Sequence, residues 1–536
     1  MNRLKFNRLW PGIRRRINRY QQDRQILKLA IDIDLNSPVP DGEPVVFFNA
    51  STRLSGLSLN AAFALLSSWS LRLAGVPVVY FYCQRGMPLC VLGTNNNDIG
   101  MAPPCAECVK QSRVLFSGGE AVSFDPVSDA DLLEKLRDMP VPALEEFKFH
   151  DVPLGELVLP SVRWILRRYH LQDDAPTRQV FTRYIEGAWN IYISFSNLLD
   201  QVYPQAIVLF NGISYPEATA RWVARQRGIR VVTHEVCLQP FSAFFTTGDA
   251  TLRAIQIPEH FELSAEQNEQ LDHYLEQRFM GNFKMAGVKF WAGMESLDET
   301  FLKRAGQFKQ VVPVFSNVIF DTSQSHANTL FPHMFAWLDC VSEMMRAHPE
   351  TLFVLRAHPD EGRPGKESRE SVAEWVREKG ILQYPNVVFI ESTRRASSYD
   401  LIRRSKFVMI YNSTIGLEAS LLNAAVLCAG RSRFTDYPTV YFPENRQAYE
   451  KMAEAFLQAD TIEVPEIFRQ NARRYLYFEL FRASIPFSKF LEEDAYWQGY
   501  TRLKNFSWEA LLPENSTTMN TLYEGIILDK PFLNEI

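Results

Sequence analysis

No stretch of this 536-residue chain is apolar for long enough to cross a membrane. The most apolar run, residues 60–82, is broken by Arg72 and by Gly75-Val-Pro77, so it reads as helix, turn and strand. A global excess of positive charge is also missing. The 57 lysines and arginines face 62 aspartates and glutamates, a formal net charge of −5, which argues against a nucleic-acid partner. The basic start is followed by no apolar core and cleavage site, so no export signal is expected and the reading is cytoplasmic. Seven cysteines in a long chain of that kind argue against a disulfide framework. No repeat of fixed period and no long low-complexity run interrupts the pattern. What remains is an ordinary soluble balance, 46% hydrophobic and 22% charged, in a chain too long for one core.

The charge is unevenly spread. Arg3, Lys5, Arg8, Arg14, Arg15, Arg16 and Arg19 fall within the first twenty residues with no acid, interleaved with Leu4, Phe6, Leu9, Trp10 and Ile13. Residues 1–20 therefore suit an anionic membrane surface at the inner face. Pro11-Gly12 breaks any continuous helix there, and a frayed, solvated terminus is the competing reading.

Further on, residues 44–50, 76–82, 206–210 and 229–235 are short apolar, β-branched runs that alternate with helical patterns at 57–74 and 216–227. That is βαβ organisation. Residues 83–160 are punctuated by proline and glycine, and 162–203 read as mostly helical. Strand signals vanish from about 253 to 306 and return at 310–318, 351–356, 387–390, 406–410 and 426–429, with helices at 331–346 and 371–379. The expected division is a basic segment 1–40, an α/β domain 41–252, linker and surface helices 253–306, a second α/β domain 307–465, and helices and tail 466–536. Two Rossmann-like parallel sheets facing across a cleft fit this string.

Two motifs say most about function. Thr351-Leu-Phe-Val-Leu-Arg356-Ala-His358-Pro359 and Ile410-Tyr-Asn412-Ser413-Thr414-Ile-Gly416-Leu-Glu418 are buried-strand patterns that stop in polar residues. Ligands in open α/β sheets bind beyond such strand ends. Arg356 and His358 arrive on the first strand. The second opens a Ser413-Thr414 turn into a helix suited to phosphate, with Glu418 placed for ribose hydroxyls. Together they describe a nucleotide-sugar pocket.

The chain resembles bacterial capsule and surface polysaccharide glycosyltransferases of the two-Rossmann GT-B architecture, including the His-Pro motif of Kdo transferases and bacterial sialyltransferases. The matching pieces are Phe210-Asn211-Gly212 with Pro216-Glu217, Val231-Val-Thr-His234-Glu235, Pro313-Val-Phe-Ser-Asn317 with Asp321, Arg356-Ala-His358-Pro359 and Asn412-Ser413-Thr414-Ile-Gly416-Leu-Glu418. In sialyltransferase-like members the His-Pro pair contacts the CMP of the donor, so the resemblance implies that His358 and Pro359 meet the nucleotide and that Ser413 and Thr414 take its phosphate; Asn317, Arg356 and Gly416 are further candidate donor contacts. It implies no metal in catalysis. One departure stands out: those sialyltransferases carry an acidic pair before a glycine as base, whereas this chain has Phe210-Asn211-Gly212.

The base must then come from elsewhere. Glu235, at the tip of its strand, is the first candidate, His234 the second and Glu217 the third. Since His234 and Glu235 alternate across one strand end, only one should face substrate. Ser51, Arg53, Ser55 and Gly56 at the first βα turn, with Asn211, are candidate acceptor contacts; a plain capped turn is the bland reading. Cys105-Ala-Glu-Cys108 has zinc-knuckle spacing, and with Cys83 and Cys90 it forms a candidate structural zinc site, reduced thiols being the alternative. Arg473, Arg474 and Arg482, set among tyrosines and phenylalanines, form an acceptor or membrane patch or, better, a helix crossing back onto the first domain. The expected activity is transfer of a sugar from a nucleotide-activated donor to a surface polysaccharide or glycolipid acceptor. The competing readings are a nucleotide-sugar 2-epimerase and a non-catalytic sugar-binding or assembly protein.

Overall fold

The computed structural model describes residues 2–50, 56–280, 283–285, 288–290, 295–497 and 499–534; within 2–13 and 283–290 it describes the backbone alone. Two sheets organise the chain. In the first, five parallel strands lie in the order Glu120–Phe124, Val78–Cys83, Val45–Asn49, Ala206–Phe210, Arg230–Val236. In the second, all five strands are parallel, in the order Val387–Ile390, Thr351–Arg356, Gln310–Phe315, Val408–Ile410, Val426–Cys428. Both follow the same doubly wound path, in which the strand order reverses beside the first strand of each set.

The local cause is visible in the runs themselves. Gln310–Phe315 and Thr351–Arg356 are buried at every position, as strands covered on both faces must be. Apolar clusters accordingly flank each sheet on both sides. The α/β architecture with two facing Rossmann-like sheets is thus present.

Several expectations need correction. The first sheet is mixed, because Ser242–Thr247 and Ile485–Pro486 extend it antiparallel. Glu120–Phe124 was hidden in the proline- and glycine-rich region: it is an edge strand, exposed at its start, and so lacks a core-facing signature. The region expected to hold no strands contains the hairpin Phe283–Met285 with Val288–Phe290. Pro160 lies inside the helix Leu154–Leu166 instead of before it, and a left-handed Arg167 separates that helix from Ala175–Val202. Pro11-Gly12 does not stop the first helix, which runs unbroken from Asn2 to Asn36. Proline removes one backbone hydrogen bond, whereas the later turns are anchored by buried Ile26, Leu29, Ala30 and Ile33 and by Asn18 Nδ2 donating to Asp494 at 3.1 Å.

The tail does cross back. Helix Glu466–Tyr477 packs on Ile415–Leu421 and on Ala265–Phe279, Ile485–Pro486 joins the first sheet, and helix Thr517–Ile527 rests on Leu59–Leu73. Arg473 is bound to Asn268 and Asp272, and Arg474 donates to the carbonyls of Pro258 and Glu259. These arginines tie helices together; they do not form a free patch.

Candidate active site

The carboxyl ends of the second sheet's strands open into a cavity of about 490 Å³. Three strands adjacent in that sheet end in Ser316-Asn317, Ala357-His358 and Asn412-Ser413, and all six residues line it. The opposite wall comes from the first half: Glu235, Val236, Leu238, Thr251 and Arg253.

On the second sheet's rim the side chains are held by short polar bonds. Asn317 Nδ2 donates to Asn412 Oδ1 at 2.7 Å, which also accepts from Gln324 at 3.1 Å. His358 Nδ1 accepts the Asp360 backbone N–H at 3.2 Å. A neutral His358 therefore carries its proton on Nε2, and burial holds its pKa below the ordinary value. Arg356 is 3% exposed and donates to the Ala396 carbonyl at 2.5 Å; burial lowers its pKa to about 10. Pro359 and Thr414 also line the cavity, and Thr414 is exposed. Helix Ile415–Leu421 is only two turns long, so its dipole contributes little beyond the local amides.

Two of the expected donor residues behave otherwise. Gly416 does not line the cavity; a Cβ there would lie 2.2 Å from Ile410 Cδ1, so this glycine lets the helix sit close on its strand. Glu418 lines the cavity, but its two oxygens are engaged, one by Arg278 at 2.6 and 3.0 Å and the other by the Tyr399 hydroxyl at 2.5 Å. Its carboxylate is committed to a buried ion pair before any ribose arrives.

Across the cavity, Glu235 is half-buried. Its carboxylate accepts the Val236 N–H at 2.8 Å and Asn211 Nδ2 at 3.4 Å. Burial raises its pKa, opposed by the Val236 amide, Arg253 and Asn211. The strand alternation sends His234 the other way. Its ring sits among Phe63, Phe210 and Phe245, with Nδ1 unpartnered, and burial depresses its pKa to about 3. A histidine held neutral in the core wall does not serve as the base. Glu217 is also off the cavity: it is buried in the first turn of Tyr215–Gln226, and burial pushes its pKa up to about 8.

Of the acceptor candidates, Ser51, Arg53 and Ser55 lie outside the described residues. Gly56 packs against the Tyr500 ring and does not reach the cavity. Asn211, 4% exposed, stands behind Glu235 and caps the turn through the Ile213 and Ser214 amides. Asp321 lines the cavity and accepts from the Ser323 N–H at 3.1 Å; among the described residues it belongs to no group of three or more side chains placed to hold a metal ion.

The sequence reading missed the arginines that line this space: Arg253, Arg278, Arg431 and Arg433. Arg253 and Arg433 converge on Glu479, a fully buried carboxylate from the tail, at 3.1 and 2.6 Å. No local signal announces this, since the three residues are far apart in the chain. Across the same junction Asp249 accepts from Arg221 at 2.9 Å and from Thr251, with His326 Nε2 at 3.4 Å. Burial pushes its carboxyl up, but His326, Thr251 and Arg221 outweigh that and hold it at about 2.

No family profile matches the chain, and no curated protein matches it. Among solved structures, the chain is similar to a β-Kdo 2,7 transferase, KpsC of Thermosulfurimonas dismutans, at 13% identity and a TM-score of 0.32, covering 63% of this chain and 90% of that one. It is similar to sucrose-phosphate synthase from Thermosynechococcus elongatus at 11% identity and a TM-score of 0.28, covering 91% and 100%. It is also similar to UDP-GlcNAc 2-epimerase from Neisseria meningitidis, bound to UDP-GlcNAc, at 12% identity and a TM-score of 0.23, covering 82% and 99%. Likenesses this loose decide nothing about activity.

Proposed function

We propose that the protein is a glycosyltransferase that moves a sugar from a nucleotide-activated donor to a glycan or glycolipid acceptor. One observation carries the reading: a single cavity joins a cationic and hydroxyl-lined rim on one sheet to a half-buried carboxylate at a strand tip of the other. The rim suits a nucleotide phosphate. His358 Nε2–H, Arg356, and the Ser413 and Thr414 hydroxyls offer donors where negative charge builds on the leaving group. Arg253 and Arg433 line the same space and share one carboxylate, Glu479, so the three groups leave one positive charge over, which suits an acidic donor sugar such as a CMP-linked acid.

In the proposed step the acceptor hydroxyl gives its proton to Glu235 while its oxygen attacks the anomeric carbon. The anomeric carbon–oxygen bond breaks, and its electron pair leaves with the nucleotide phosphate. A carboxylate whose pKa is raised by burial is a better proton acceptor than an exposed one. Asn211 fixes its orientation.

Acceptor delivery at a membrane surface has its own support. The first helix buries one face and leaves Ile17, Tyr20, Leu27, Ile31 and Leu35 exposed on another, with Arg14, Arg15 and Arg16 exposed at its near end. Among the described residues no helix is long and apolar enough to cross a membrane. Such a stripe beside basic residues fits a helix lying in the plane of an anionic surface. Co-sedimentation with phosphatidylglycerol vesicles, abolished by Leu35→Glu with Ile31→Glu and weakened by salt, is the expected result. Equal binding to neutral vesicles would remove the electrostatic part.

The activity is tested by a thermal-shift panel of CMP, UDP, GDP and ADP, followed by the matching nucleotide sugars. One nucleotide should stabilise the protein, by about 2.7 kcal/mol at a hundredfold excess over its Kd. No shift at millimolar concentration with any of the four sinks the donor-pocket reading. A 2-epimerase is the second reading, favoured by Asp321 and Asp360, which put carboxylates on the wall across from Glu235. Incorporation of solvent deuterium at sugar C2 without any acceptor would select it.

A further inference from the structure

Away from this cavity, a second and much smaller one gathers chemistry that glycosyl transfer does not use. Its volume is about 30 Å³, and Cys83, Cys90, Cys105 and Cys108 all line it. They arrive from three places: the last residue of strand Val78–Cys83, the loop after it, and the first turn of helix Cys105–Leu115. Chain spacing alone brings only Cys105 and Cys108 together. The fold brings the other two.

We infer that these four cysteines bind one structural zinc ion, which pins the loop of residues 84–104 and the helix after it to the end of the first sheet. Four thiolates are a complete zinc ligand set, with no open position for catalysis. The space admits a single ion and is too small for a cluster of several metal atoms.

Backbone amides stand over two of the sulfurs, while burial pushes the Cys83 thiol up to about 11 and the Cys90 thiol up to about 12, so both keep their protons until an ion displaces them. Cys83 and Cys90 are each followed three residues later by a glycine. The amides of Gly86 and Met87 donate to the Cys83 sulfur, and the Gly93 amide donates to Cys90 Sγ at 3.2 Å. Any side chain at position 93 would meet Cys90 Sγ at 3.0 Å and Pro103 Cβ at 2.9 Å, so the turn over this sulfur needs glycine. Cys105 and Cys108 sit in the first turn of an eleven-residue helix, where the N-terminal amides oppose the burial that raises the Cys105 thiol.

Among the described residues no three His, Cys, Asp or Glu side chains stand close enough already to share an ion. A tetrahedral site with Zn–S of about 2.3 Å needs sulfurs about 3.8 Å apart. Binding therefore draws in four side chains that already border one small space, by rotation about their Cα–Cβ bonds and with release of the thiol protons. The consequence reaches the second half of the molecule. Asn96, in the pinned loop, accepts Arg369 at 2.7 Å, and Glu107 and Gln111 of the pinned helix face Arg19 at 3.4 and 3.1 Å.

The experiment is metal analysis of the full chain, purified without chelator and without a histidine tag. About one zinc per chain is expected. Cobalt exchanged into the site should give the intense visible bands of tetrahedral thiolate coordination. Cys90→Ser and Cys105→Ser should each lower zinc content at least tenfold, and mercurial titration of wild-type protein should release the ion as the thiols react. Zinc absent from the purified protein and not taken up from zinc chloride under reducing conditions overturns the inference, as does a Cys105–Cys108 disulfide in the freshly isolated protein. Stoichiometric iron in place of zinc overturns the choice of metal. The wild-type measurements stand even where a serine variant fails to fold.

Discussion

The two sheets share one strand order and differ in what each rim carries. In the second sheet, the three strands nearest the reversal point end together in Asn317, His358 and Ser413, all on the large cavity. In the first, the ends of Val78–Cys83 and Ala206–Phe210 are closed off. Asn211 is buried, Cys83 turns to the small cysteine-lined space, and among the described residues only the fifth strand's tip reaches the cavity, through Glu235. One order of five parallel strands thus supports two uses. On the proposed reading one rim holds the ligand, and the other places one carboxylate against it and anchors its own loops.

If that division holds, binding and chemistry separate by half. Glu235→Gln should lower turnover by about 10²- to 10⁴-fold while nucleotide stabilisation in thermal shift stays unchanged. Loss of nucleotide binding in this variant would mean the two rims do not divide the work. Wild-type turnover would move the base to a different group on the cavity wall.

The next largest effect belongs to the contact that crosses between the halves. Glu479 is fully buried between Arg253 of one half and Arg433 of the other. Glu479→Gln leaves two half-buried guanidinium groups without their counter-charge, and the cost should approach that of a broken buried pair, about 3–5 kcal/mol. Chemical denaturation should show that loss together with weakened donor binding, because both arginines line the cavity. Full stability would make the triad an incidental contact. His358→Ala comes third: it should erase the stabilisation of about 2.7 kcal/mol that a nucleotide gives at a hundredfold excess, with the unliganded melting temperature little changed.

The contrast also explains what could be read from the chain. Runs such as Gln310–Phe315, Thr351–Arg356 and Ala206–Phe210 announce themselves, because a strand covered on both faces has to be apolar throughout. The second rim was legible for the same reason, since its polar residues directly follow those runs. Strand alternation allowed only one of His234 and Glu235 to face the cavity, without saying which. The edge strand Glu120–Phe124 was not legible, as half of it meets solvent. Nor were Arg253, Arg278, Arg433 and Glu479, which meet through tertiary contacts alone. Glu418 was legible as a cavity residue but not as one already paired with Arg278, for the same reason.

The smallest effect concerns how firmly the halves are held together on the side away from Glu479. Glu370 accepts the backbone amides of Tyr169 and His170 at 2.8 and 3.0 Å and faces His170 Nδ1 at 2.5 Å. His170 Nε2 stands 3.3 Å from His333 Nε2, and His333 Nδ1 accepts the Ala336 amide at 3.1 Å. That last bond puts the proton of neutral His333 on Nε2, where it donates to His170, whose own proton then faces Glu370. A second proton on His333 would set donor against donor at Ala336. Burial and the nearby His170 hold the His333 pKa below 6.5, with Glu370 and Asp339 opposing and Arg163 adding to the depression. Burial raises the Glu370 pKa, but His170 and the two amides outweigh it and hold it below 4.5. For both groups the unfolded chain binds more protons in the relevant window, so stability rises with pH there. The His333 contribution is complete above about 6.5 and fades as the pH falls below it; the Glu370 contribution fades only below about 4.5. Both side chains are partly solvated, so the effect should be about 1 kcal/mol or less. Melting temperature and the fluorescence transfer between dyes on the two halves should both drop between pH 7.5 and 5.5, and His333→Gln should flatten the profile. A fall of the same size in His333→Gln would assign the acid sensitivity to other groups and leave the Glu370–His170–His333 chain a purely geometric contact.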